Sequence, residues 1–107
     1  MATVKWTMKA QAEKRQLYLD GRLIFGARIA KKTAQKIERI QKSLERFPSM
    51  GHREPLLEEL SPIYRTCIIN KRFKIIYWYS EADDIVVIED IWDTHRAPQN
   101  LKKRINN

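Results

Sequence analysis

Few side chains in this sequence combine a reactive type with a spacing that supports chemistry. The one cysteine, Cys67, lies inside the apolar run Thr66-Cys67-Ile68-Ile69. It reads as a small buried hydrophobe, because a reactive thiol needs an electropositive, partly exposed setting. There are two histidines. His52 follows the stop signal Pro48-Ser49-Met50-Gly51 and reads as a structural loop residue. His95 follows an apolar run, where it is either a turn or cap residue or a proton carrier. No ligand spacing for a metal, no Gly-rich phosphate loop and no Ser-His-Asp set is visible, so no metal or cofactor is expected. What the chain has in abundance is positive charge: 21 Lys and Arg against 13 Asp and Glu, a net +8.

That charge is unevenly placed. Residues 1–53 carry thirteen cations against Glu13, Asp20, Glu38 and Glu45, a surplus of nine, while residues 54–107 carry eight cations against nine acids. An asymmetry of this kind points to a polyanionic or acidic partner, with RNA, DNA and an acidic protein segment all qualifying. Much of the surplus falls on one stretch. Ala30, Ala34, Ile37, Ile40, Leu44 and Phe47 recur at three- and four-residue steps, and Arg28, Lys31, Lys32, Lys36, Arg39, Lys42 and Arg46 occupy the other faces. The basic face is either solvated or a docking surface. It has no interleaved aromatics, so it is not built to stack bases.

The elements that position these residues follow from periodicity. Val4-Lys5-Trp6-Thr7 reads as a short first strand. A helix over Met8–Asp20, with Ala12, Leu19 and Leu23 sharing a face, is expected to break or bend between Gly21 and Gly26. The basic helix comes next and is stopped by Pro48, so the two form a helical hairpin. Residues 51–62 are a Glu- and Pro-rich connection with one helical turn at Leu56–Leu60. Three strands close the pattern: Tyr64–Ile69, Phe73–Tyr79 and Ile85–Trp92. The last is apolar on both faces, with Ile85, Val87 and Ile91 on one and Val86, Ile88 and Trp92 on the other, so it is expected inside the sheet. Residues 97–107 read as a polar, basic tail. The expectation is one α+β domain over residues 1–107, with the order β-α-α-β-β-β and helices on one face of a mainly antiparallel sheet. The lone cysteine suits a reducing cytoplasm. No signal peptide and no apolar run near the ~18 residues of a membrane span are visible, so no membrane partner is expected.

Several short motifs fall in order along these elements. Trp6-Thr7 sits in the first strand, and Leu44-Glu45-Arg46-Phe47-Pro48-Ser49-Met50-Gly51 closes the second helix. Tyr64-Arg65 opens the second strand, and Phe73-Lys74-Ile75-Ile76-Tyr77 forms the third. The run from Ile88 to Leu101 ends in the pattern Asp93-Thr94-His95-Arg96-Ala97-Pro98-Gln99-Asn100-Leu101. In element order and in these motifs the chain resembles the RelE/ParE toxins, the poison half of bacterial toxin–antitoxin pairs, and the resemblance spans nearly the whole chain.

It implies one of two activities, each silenced by a cognate antitoxin through which alone the toxin reaches operator DNA. RelE-like members are ribosome-dependent endoribonucleases acting on mRNA, whereas ParE-like members poison DNA gyrase and are not enzymes. For a nuclease, the residues to supply proton transfer and phosphate stabilisation would be Arg65, Lys74, His95 and Arg96, converging at one end of the sheet. Arg65 and Lys74 read equally well as solvated charges. Trp6, Trp78 and Trp92 suit core or antitoxin-groove positions. Two departures from the nuclease pattern favour the ParE-like branch. No tyrosine follows Tyr79, and the loop Glu54-Pro55-Leu56-Leu57-Glu58-Glu59-Leu60 offers three acids in place of paired lysines.

Overall fold

Thr7 turns the chain from strand to helix. Its extended backbone ends β1 (Thr3–Trp6), and its side-chain oxygen accepts the Ala10 N–H at 3.1 Å, capping α1 (Met8–Phe25). The computed structural model describes residues 1–106. After α1 come α2 (Ala27–Arg46), the two-residue strand β2 (His52–Arg53), a 3-10 turn (Pro55–Leu57), β3 (Tyr64–Ile68), β4 (Phe73–Ser80), β5 (Ile85–Asp93) and α3 (Gln99–Asn106). The strands form one sheet in the order β1-β5-β4-β3-β2. β1 runs parallel to β5, and the other pairs are antiparallel. The expected α+β order is present, with β2, α3 and the parallel edge added, and β5 lies inside the sheet.

Helix α1 runs through Gly21 and stops at Gly26. A Cβ on Gly21 would lie 3.6 Å from that of Ala30, so this glycine is where the two helices cross closely. Gly26 alone joins them, at φ 90° and ψ 166°, a conformation open to glycine. The crossing fixes which side of α1 faces inward. Ala10, Leu17 and Gly21 turn to the core, while Ala12, Leu19 and Leu23, the face expected from periodicity, lie exposed. On α2 the stripe is the expected one at Ala30, Ile37, Ile40 and Leu44, with Ala34 and Phe47 left exposed at its margins.

The sheet has two apolar faces. Ile75, Tyr77, Val86, Ile88 and Ile91 pack with Ile37, Ile40 and Leu44 under the hairpin. Ile76 and Trp92 pack with Leu57, Leu101 and Ile105 on the other side. This corrects the face assignment of β5. Ile76 pairs with Asp90 but Tyr77 pairs with Ile88, so Glu89 is an extra residue in a β-bulge. The bulge moves Ile91 onto the face of Val86 and Ile88, and Trp92 onto the opposite one.

In place of the expected polar tail, α3 follows Pro98 as a helix with an apolar side. Leu101 is fully buried and Ile105 packs beside it, which gives the second face of the sheet its cover. Arg104 anchors this helix, donating to the buried Asp90 at 2.5 Å and to Glu13 of α1 at 2.7 Å. Burial raises the Asp90 carboxyl above the ordinary carboxylate range, although the Arg104 guanidinium pulls it down.

Candidate functional site

The motif residues meet first at Gly51. Its N–H donates to the Tyr77 hydroxyl at 2.9 Å, and its carbonyl accepts from the Arg65 guanidinium at 2.8 Å. A Cβ on Gly51 would lie 2.7 Å from the Thr66 carbonyl oxygen and 2.8 Å from the Tyr77 ring, so no larger residue fits. Burial pushes the Tyr77 phenol up to about 12, so it stays a neutral partner. The Pro-x-x-Gly segment, Arg65 and Tyr77 thus join the end of α2 to the sheet. Arg65 faces the hairpin side, as its cross-strand partner Tyr77 does.

Lys74 faces the opposite way, beside Trp92. Its ammonium pairs with Glu54, whose side chain is 1% exposed. The same carboxylate accepts the Thr66 hydroxyl at 3.0 Å and the Leu56 N–H at 3.2 Å. Lys74 is therefore neutralised by a carboxylate that the sequence placed in an acidic loop, and the partnership becomes visible only once β3 and β4 are paired. Cys67 is buried on the hairpin side, and desolvation pushes its thiol up to about 11.

His95 and Arg96 lie in the exposed turn after β5, at the end of the sheet where β4 begins. The His95 N–H donates to Asp93 at 2.9 Å. Arg72 holds the same carboxylate in a two-pronged pair at 2.9 and 3.1 Å. The Arg72 hydrogen bonds hold Asp93 below the usual carboxylate range. Arg96 places its guanidinium 5.8 Å from the centre of the Trp92 ring. The structure thus brings Lys74, His95 and Arg96 to one end of the sheet. Arg65 is not with them: it stands further along β3 and on the other face.

A different feature occupies that end of the molecule on the hairpin side. A groove of about 310 Å³ is lined by apolar Ile24, Phe25, Ile29, Phe73 and Ile91, and its charged lining is Arg72 and Arg96 with the carboxylates of Glu13, Asp20 and Asp93. Next to it the tip of the hairpin exposes Leu23 (85%), Ile24 and Phe25 (65%) to solvent. Exposed apolar side chains this closely grouped mark a contact surface. Their signal in the sequence is Leu23-Ile24-Phe25 directly before a glycine, an apolar run at a helix end with nothing following to bury it. Among the described residues, no three His, Cys, Asp or Glu side chains group so as to hold a metal, and no helix is long and apolar enough to cross a membrane.

A helical hairpin on one face of this strand order is the architecture of solved bacterial toxin structures. The chain is similar to one described as the chromosomal ParDE TA system from P. aeruginosa, at 24% identity and a TM-score of 0.68, over 87% of this chain and 96% of that one. It is also similar to a metal-bound toxin from Helicobacter pylori, at 12% identity and a TM-score of 0.66, over 89% and 97%. A YoeB/ParE toxin from Agrobacterium tumefaciens matches at 16% and 0.59, over 85% and 96%. These likenesses establish a shared fold. No sequence among curated proteins matches significantly. The family model described as ParE toxin of the type II toxin–antitoxin system parDE matches residues 4–98, and the chain belongs to that family.

Proposed function

We propose that this toxin acts by protein–protein inhibition of DNA gyrase and is neutralised by a cognate antitoxin. The observation that carries the reading is the fate of the four cationic and imidazole candidates. Arg65 holds a backbone carbonyl on one face of the sheet, and Lys74 is neutralised by Glu54 on the other. That leaves His95 and Arg96 in an exposed turn, without a second free strand cation to share a phosphate with them. Toxicity on this reading needs surface contact and no proton transfer. The antitoxin is an amphipathic, acidic segment that buries apolar side chains in the groove beside Ile24, Phe25 and Phe73 and meets Arg96, which also lines it.

The test is growth arrest on induction of His95→Gln, paired with primer-extension mapping of cellular mRNA for the unmutated toxin. Arrest that survives the substitution, with no cuts and with the SOS response on, is the expected result. Codon-positioned cuts lost on His95→Gln would overturn it and establish a ribosome-dependent mRNA endonuclease, since a general acid or base contributes about 10²–10⁴-fold to a rate.

A further inference from the structure

We infer that the outer face of α2 is a docking surface for the backbone of double-stranded DNA. The helix spans Ala27–Arg46, and its buried side carries Ala30, Ile37, Ile40 and Leu44. On the opposite side Arg28, Lys31, Lys32, Lys36, Arg39, Lys42 and Arg46 are all exposed. At 3.6 residues per turn these seven cations fall within an arc of about 140°, and they extend over about 27 Å of helix. The two acids of the helix, Glu38 and Glu45, fall outside the arc. The one ion pair that α2 makes with these cations, Lys42 with Glu38 at 3.4 Å, is more than half exposed on both sides and weak in water.

Three features of this face select the partner. It contains no apolar side chain: between the cations lie only Gln35 and Ser43. A protein partner needs buried anchors at the centre of its contact, and lysine is depleted there. An acidic polypeptide is therefore a poor fit, and the apolar groove at the hairpin tip suits it better. The face also lacks aromatic rings within the arc, so it offers no stacking platform for a single strand. Finally, it lies on one unbroken helix, Ala27–Arg46. The major groove of B-form DNA, about 12 Å wide, admits the side of a helix about 10–12 Å across, and the narrow major groove of A-form RNA does not. Lysine and arginine ammonium and guanidinium groups on phosphates carry no sequence information, so the contact is independent of sequence. Recognition of an operator is left to another chain. The inference stands apart from the gyrase reading, because it is tested with no other protein present.

The experiment is fluorescence anisotropy of a labelled mixed-sequence DNA duplex against the full chain across a KCl series. One variant carries Arg28→Gln, Lys32→Gln, Arg39→Gln and Lys42→Gln. A second carries Lys5→Gln, Arg22→Gln, Lys71→Gln and Lys103→Gln, four exposed cations elsewhere. Both lower the net charge from +8 by four, so bulk charge is matched. Circular dichroism confirms that each is folded. The stripe variant is expected to lose affinity at least about tenfold more than its control. Its slope of log affinity against log salt should shrink by about 0.9 for each phosphate contact removed. Equal losses in the two variants would overturn the inference. So would absence of duplex binding by the unmutated chain, or tighter binding to the single strand, to an RNA duplex or to poly-glutamate.

Discussion

Gly51→Ala tests whether the motif residues are a structural joint. The added methyl carbon would sit 2.7 Å from the Thr66 carbonyl oxygen and 2.8 Å from Tyr77, closer than real Cβ contacts allow. Both neighbours are themselves buried, so the strain is relieved only by moving Gly51 away from the sheet. That movement lengthens its two hydrogen bonds, at 2.9 Å to Tyr77 and 2.8 Å from Arg65. Overpacking costs roughly 1–3 kcal/mol and each of the two weakened bonds about 1 kcal/mol more, so the total is about 3–5 kcal/mol. For a domain of this size 1 kcal/mol corresponds to roughly 4–8 °C, which places the expected loss in melting temperature at about 12–40 °C. Thermal unfolding followed by circular dichroism reads it directly. Tyr77→Phe is the companion: it introduces no clash but strands the Gly51 N–H, and should cost about 1–2 kcal/mol. If Gly51→Ala melts within a degree or two of the unmutated chain, the joint is not where the end of α2 is held.

Ile40→Asp should lower stability by several kcal/mol, because it buries an unpaired carboxylate under the hairpin where Ile40 is now 7% exposed; an unchanged denaturant midpoint would exclude Ile40 from the core. Lys74→Ala should cost about 3 kcal/mol by leaving Glu54 buried without its cation. Adding Glu54→Gln should recover about 1 kcal/mol or more, and strictly additive losses in that double-mutant cycle would show that the two groups are uncoupled. Cys67 should resist maleimide in the native state at pH 8, where a thiol at about 11 is only about one part in a thousand thiolate; labelling as fast as in denaturant would contradict its burial.

How much of this was legible in the sequence depended on whether the determining contact was local. The stripe Ile37, Ile40, Leu44 announced α2 because one helix face repeats on its own. The face of α1 was misread because it is set by a non-local event, the crossing of Gly21 over Ala30, for which the sequence shows only a glycine in a helix. Helix α3 was hidden by its composition. Lys102, Lys103 and Arg104 mask Leu101 and Ile105, yet Pro98 followed by two apolar residues at a four-residue step is a helix start with one buried side. At the candidate site, the positions of Lys74, His95 and Arg96 at one end of the sheet followed from strand order alone. The inward or outward sense of Arg65 relative to Lys74 required the pairing of β3 with β4. Glu54 could not be matched to Lys74 from a loop whose path was unspecified.

The bulge at Glu89 has a consequence for how chains of this shape are compared. Strands ordinarily tolerate no change of length, since shifting by one residue exchanges the two faces. In β5 the count already carries one spare residue. Without Glu89 the remaining side chains would still alternate, with Val86, Ile88 and Ile91 under the hairpin and Asp90 and Trp92 toward α3. A single-residue gap in an alignment belongs at this point, where it leaves both cores intact. Placed elsewhere in the strand, the same gap would move Trp92 under the hairpin, or Val86 out from under it.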